Sequence, residues 1–197
     1  MKYDVTLNMM GKVLKRMIAT QITDKNKLKA IQDEYKTIIL RADDIGNKNK
    51  LIMSYALAAY FIAMNRHGGL TPEENFKLLD DQIRTRKLVK ALMGSSKNYF
   101  SEKNMESRRA WSKQTYERKY KNDWVVDVLE KTPEYEFGLD YRECGVCKLC
   151  RDEKCPELAK YLCGLDYTLV DIMDIRLIRT MTLAEGGTKC DFRFQKK

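Results

Sequence analysis

The stretch CGVCKLCRDEKC, residues 144–155, carries four of the chain's six cysteines. Its spacing is C-x2-C-x2-C-x4-C-P. Bacterial ferredoxins hold an iron–sulfur cluster with C-x2-C-x2-C-x3-C-P, so the last gap here is one residue longer. Cys144, Cys147, Cys150 and Cys155 also match zinc's demand for four ligands, although CxxC halves of zinc sites generally stand about a dozen or more residues apart. The competing chemistry is nucleophilic. A cysteine attacks as its thiolate and needs a base or a positive neighbour to form it. Cys144 follows Arg142 and Glu143 at the end of an expected strand. Cys155 precedes Pro156 at an expected helix N-terminus, where the dipole favours a thiolate. A third reading is a set of reduced thiols with no chemistry of their own. The single histidine, His67, reads as a cation at a helix C-terminus. A base for hydrolysis would then be a carboxylate, with Glu143, Asp166 and Asp191 as candidates.

The elements that must position these residues change character along the chain. From Val5 to about Arg118 the apolar spacing is helical, as in Val5, Leu7, Met10, Val13, Leu14, Met17 and Ile18, and again in Leu28, Ile31, Tyr35, Ile38 and Ile39. The segment Leu51–Met64 is apolar nearly all round and belongs at the centre of a bundle. Glycine at 68–69 ends it, and Thr71-Pro72-Glu73-Glu74 opens a fourth helix with a capping box that runs to Gly94. A basic fifth helix is expected over Asn104 to Tyr120. Near Asp123 the period becomes 2: Trp124–Glu130 and Tyr135–Tyr141 read as strands. A helix starts at Pro156, and Ile175–Glu185, a Gly186-Gly187 turn and Cys190–Gln195 read as a hairpin. The expected class is α+β: a helical portion over 1–122, then a small, mainly antiparallel sheet with one inserted helix over 123–197, forming one continuous domain.

Composition sets the frame. A chain of 197 residues with 44% hydrophobic and 33% charged residues has enough apolar sequence for a real core. The start shows no apolar export leader, and Leu51–Met64 is too short to span a bilayer, so the expected setting is the cytoplasm, without membrane insertion, where thiols stay reduced. Between Arg84 and Lys121 twelve Lys/Arg face three Glu, a local +9 equal to the whole excess. Charge of this kind meets an acidic partner or simply solvates a helix face.

The C-terminal third has a distinctive series: Tyr141-Arg142-Glu143-Cys144, Cys147-Lys148-Leu149, Pro156-Glu157-Leu158, then Tyr161 through Tyr167 (YLCGLDY), Arg179 through Gly187 (RTMTLAEGG) and Cys190 through Phe194 (CDFRF). Over roughly Trp124 to Phe194 it resembles the L-2-amino-thiazoline-4-carboxylic acid hydrolase family of bacterial proteins. The resemblance implies ring opening of a small, amidine-like cyclic carboxylate, with water adding at C2 of the thiazoline. Such a reaction needs a cation for the substrate carboxylate, for which Arg179 or Arg193 offers a bidentate fork. It also needs a nucleophile, either a thiolate from Cys144, Cys163 or Cys190 or a water activated by Asp166 or Asp191, and an acid for the departing ring atom. On the last strand Cys190, Phe192 and Phe194 share one face, expected inward, while Asp191 and Arg193 share the other. No cofactor is required by this reading.

Two rivals belong to other classes. One is a sensor binding a small ligand, zinc or an iron–sulfur cluster at Cys144, Cys147, Cys150 and Cys155. The other is a nucleic-acid partner read from Arg108, Arg109, Trp111, Lys113, Tyr116, Arg118, Lys119 and Tyr120. Helical spacing favours packing of Trp111 and Tyr116 with the cations in water, and so argues against nucleic acid. Nothing in the pattern sets an oligomeric state.

Overall fold

The structure is a computed structural model, and it describes residues 5–46 and 49–197. Residues 1–4, on which the expectation of no export leader partly rests, lie outside the described residues. The chain folds into two compact units whose segments alternate in sequence. The helical unit takes residues 1–82, 120–122 and 145–162. The sheet unit takes residues 83–119, 123–144 and 163–197.

In the helical unit, α1 (Val5–Ile18), α2 (Lys25–Arg41) and α8 (Gly145–Asp152) pack on α3 (Ile52–His67). The sequence explains the arrangement. Nine of the residues from Tyr55 to Met64 are buried, so α3 has no polar stripe to turn to water and must be central. Gly11 lets α1 approach α2 closely: a Cβ there would stand 2.6 Å from the Tyr35 ring. Tyr35 in turn donates to the Leu7 carbonyl at 2.8 Å. Past α3, Gly69 takes a positive φ of 76°. The capping box then forms as expected, with Thr71 N donating to Glu74 Oε2 at 2.8 Å and Glu74 N to Thr71 Oγ1 at 3.2 Å.

The helix opened by that box is shorter than expected. It ends as α4 (Pro72–Thr85), and α5 (Lys87–Met93) restarts after Arg86, whose ψ of 112° is extended. Two further helices follow, α6 (Ser96–Tyr99) and α7 (Glu102–Thr115), each capped by the serine before it. The basic helix therefore starts two residues before the expected Asn104 and stops five before Tyr120.

The sheet unit's core is a four-stranded antiparallel sheet of order β1-β2-β4-β3, built from β1 (Val125–Leu129), β2 (Phe137–Glu143), β3 (Ile175–Ile178) and β4 (Cys190–Lys196). Between β2 and β3 stands α9 (Ala159–Asp171), which belongs to the sheet unit from Cys163 onward. The α+β class and the C-terminal inserted helix thus stand as read. The register sets Tyr141 opposite Cys190, Leu139 opposite Phe192 and Phe137 opposite Phe194. One face consequently carries a cluster of rings, Phe137 stacked on Phe194 at 4.7 Å and Tyr141 edge-on to Phe192 at 5.2 Å. Tyr99 and Phe100 cover it, and buried Trp111 meets Tyr141 edge-on. Among the described residues no helix is long and apolar enough to cross a membrane.

Candidate functional site

Cys144 directly follows β2, Cys190 opens β4, and Cys163 and Asp166 stand three residues apart on one face of α9. Arg179 directly follows β3. All five belong to the sheet unit. The three thiols lie within one another's electrostatic reach and that of Asp166 and Arg179. Arg179 Nη1 donates to Asp166 Oδ2 at 2.8 Å and its Nη2 to the Cys163 carbonyl at 3.0 Å. Its guanidinium also rests on the Tyr167 and Phe192 rings, 4.9 and 5.0 Å from their centroids.

The electrostatics separate these groups. Burial pushes the Asp166 carboxyl up to about 6, against the pull of Arg179. Yet 36% of its side chain remains accessible to water. Asp166 is thus crowded by protein and still open to water. Burial pushes the Cys190 thiol up to about 11, and the Cys163 thiol higher still, with Asp166 and Cys144 adding to the latter. Both stay protonated near neutrality. Cys144 is half-buried and immediately precedes α8 in the chain.

The loop carrying Arg179 is clamped by the strand behind it. Asp191 accepts from Thr180 N at 2.9 Å, Thr180 Oγ1 at 2.6 Å and Met181 N at 2.7 Å. These bonds hold its carboxyl below the usual range against partial burial, so it stays an ionised brace. Thr182 Oγ1 caps a short 3-10 turn, Leu183–Glu185, by accepting from Glu185 N. Leu183 N then donates to Cys190 Sγ at 3.2 Å. Gly187 is needed for space: a Cβ would stand 2.8 Å from the Thr182 carbonyl oxygen. The strand expected over Ile175–Glu185 ends at Ile178 because these local bonds replace the ladder.

A second guanidinium lies over other rings of the sheet unit. Arg108 on α7 lies 4.3 Å from the Tyr99 centroid and 4.4 Å from that of Phe137, and its Nη1 donates to the Tyr99 carbonyl at 2.8 Å. Burial lowers its affinity for its proton, with Tyr99 and Tyr141 opposing. Among the described residues it has no carboxylate partner. Tyr99, raised to about 12 by burial, feels both Arg108 and Asp166. Tyr141 is raised by burial and then by Tyr99, Asp166, Cys144 and Cys190. Both tyrosines lie within electrostatic reach of Arg108 and Asp166, and Tyr141 also of Cys144 and Cys190. The sequence placed Arg108 in the basic run weighed for nucleic acid and read as solvated, not at this site. Its signal is contact with Phe137, a residue on a distant strand, and spacing cannot show that.

Other candidates stand elsewhere. Arg193 points to the opposite face of the sheet, where Nη1 meets Asp140 Oδ1 at 2.8 Å and Lys189 meets the other oxygen. Gly138 leaves room for it: a Cβ there would stand 3.1 Å from its Cδ. Asp191 and Arg193 thus hold different partners. Glu143 accepts from Arg118 at 3.0 Å. His67 ends α3 and is exposed. Cys147 and Cys150 are on α8 and Cys155 follows it, in the helical unit, whereas Cys144 belongs to the sheet unit. All six cysteines are thiols. Among the described residues no group of three or more His, Cys, Asp or Glu is placed to hold a metal ion. Of the basic-helix residues, Arg109 binds Glu130 and Glu102, and Tyr116 donates to Asp127.

These features define an α+β protein whose sheet unit carries three thiols, one raised carboxyl and two ring-stacked arginines. The chain belongs to the L-2-amino-thiazoline-4-carboxylic acid hydrolase family, whose model matches residues 49–194. The match reaches back past the C-terminal motifs to include α3 through α7, and with them Tyr99 and Arg108. No curated protein and no solved structure matches the chain.

Proposed function

We propose that the thiol and carboxyl group of the sheet unit opens the C=N-containing, amidine-like ring of a small carboxylate. Arg108 holds the substrate carboxylate: its charge is desolvated, held rigid by two rings and met by no protein carboxylate among the described residues. Arg179 is occupied by Asp166 and orients it instead. Cys144 is the nucleophile for the ring carbon, because Cys163 and Cys190 are held protonated and Cys190 accepts from Leu183 N. Asp166 takes the thiol proton as carboxylate and returns it to the departing ring atom, and a water then releases the product. The observation that carries this reading is Asp166, a wet carboxyl raised to about 6 among three thiols.

The test is turnover of L-2-amino-thiazoline-4-carboxylate by reduced protein, followed by appearance of the ring-opened thiol. Turnover should be lost on alkylation and in Cys144→Ser, with substrate slowing the alkylation. A folded protein that turns over nothing, or a Cys144→Ser variant at full rate, would overturn it.

A further inference from the structure

Two thiols of the helical unit are brought together by the way α8 ends. Cys155 N donates to the Cys150 carbonyl at 2.8 Å and Lys154 N to the Arg151 carbonyl at 3.0 Å. Lys154 lies at φ 58°. These are the paired bonds and left-handed residue of a Schellman motif, which sets the side chain three places before the helix end against the one two places beyond it. Here those side chains are Cys150 and Cys155. Cys150 is fully buried, whereas Cys155 is half-buried and open to a small reagent. The motif also fixes the backbones close together, as a disulfide requires.

The surroundings favour reaction at Cys155. The Cys150 thiol hydrogen-bonds to its sulfur and the Arg66 charge lies near it; together they hold the Cys155 thiol below its ordinary value despite burial. Arg66 is fixed in place, with Nη2 on the Glu153 carbonyl at 2.7 Å and Nη1 on Glu34 at 2.6 Å. A half-buried, thiolate-prone cysteine beside a fully buried second thiol is the arrangement of an attacking and a resolving pair. The same unit's recess of about 460 Å³, lined by Arg41, Arg66, Lys121, Asp43, Asp152 and Glu153, shows no comparable reactive group.

We propose that Cys150 and Cys155 form a reversible dithiol–disulfide site oxidised by a hydroperoxide. The Cys155 thiolate attacks the outer peroxide oxygen; the O–O bond breaks and the alkoxide leaves with a proton as an alcohol or, from hydrogen peroxide, as water. Cys150 then attacks the Cys155 sulfenic sulfur, forming the S–S bond and releasing hydroxide, which takes up the Cys150 proton as water. Two thiols are oxidised and one peroxide is reduced.

The experiment is a non-reducing tryptic map of the whole protein after graded hydrogen peroxide and thiol blocking. Cleavage after Lys148, Arg151, Lys154 and Lys160 puts Cys150 and Cys155 on separate peptides. The expected result is the linked pair Leu149–Arg151 with Cys155–Lys160, removed by dithiothreitol and absent in Cys155→Ser. Arg66→Gln should slow alkylation of Cys155 in the reduced protein roughly fivefold. Oxidation of Cys155 onward to sulfinic acid with Cys150 untouched would overturn the proposal, as would crosslinks confined to Cys144, Cys163 or Cys190.

Discussion

Replacing Asp166 by Asn removes the one raised carboxyl among the three thiols while keeping its shape. Because burial pushes that carboxyl up to about 6, the base form is present above this pH. In the wild type kcat/KM should rise with pH through about 6. Asp166→Asn should lower kcat roughly 10²- to 10⁴-fold and abolish that acid limb in a pH–rate profile. An unchanged limb would move the base elsewhere. Arg108 is tested by a different ratio. A charge-assisted bond to the substrate carboxylate is made equally in ground and transition states, so Arg108→Gln should raise KM roughly 10- to 100-fold with kcat nearly unchanged. Arg108→Lys should recover only part, since an ammonium cannot present the fork. A fall in kcat alone would count against the assignment. At this scale Cys144, Cys163, Cys190, Asp166 and Arg179 could be picked from the ordered family motifs, and the structure gathers them in one unit. Their electrostatic differences could not be picked, because burial and hydrogen bonding belong to the fold.

At the scale of elements, local chemistry was legible where it is encoded locally. Thr71 and Glu74 announce a capping box, and Gly69 announces the turn before it. The end of α8 has no such mark: a lysine occupies the left-handed position that glycine usually fills. Lys154→Gly should therefore stabilise the protein by about 0.5–1 kcal/mol in denaturant titration, with the Cys150–Cys155 contact intact. A loss of stability would mean that the lysine side chain contributes more than its backbone strain costs. The break between α4 and α5 was likewise hidden, because Arg86 is neither proline nor glycine. The Arg179 loop offers the converse case. A methyl group on Gly187 would collide with the Thr182 carbonyl as well as with Met181. Gly187→Ala should cost about 1–3 kcal/mol and lower kcat through displacement of Arg179. Stability lost without any loss of kcat would separate the loop from the chemistry.

At the scale of the molecule, a change of period at Asp123 predicts the sheet but not that the two units alternate along the chain, which depends on long-range packing. The alternation has a useful consequence: the chain's two tryptophans, Trp111 and Trp124, both belong to the sheet unit. Their fluorescence reports on the unit that holds Asp166. Each unit also has its own acid response, of opposite sign. Asp166 titrates above its unfolded value, so its charge costs stability at neutral pH, and that cost is relieved as pH falls through about 6. In the helical unit, Glu153 accepts from Arg41 Nε at 2.7 Å and Arg66 Nη1 at 2.8 Å. Burial raises its carboxyl, but these bonds outweigh it and hold the group below the ordinary range. Its stabilisation is present above about pH 4.3, the unfolded value, and is lost as pH falls further through the folded one. The tryptophan-detected Tm should therefore rise between pH 7 and 5 in the wild type and stay flat in Asp166→Asn. Glu153→Gln should cost about 2 kcal/mol at pH 7, less than a fully buried pair because both arginines remain partly accessible. That deficit should vanish as the wild-type carboxyl protonates below pH 4.3. A deficit that persists unchanged to about pH 3 would show that Glu153 acts by shape and neutral hydrogen bonding rather than by charge.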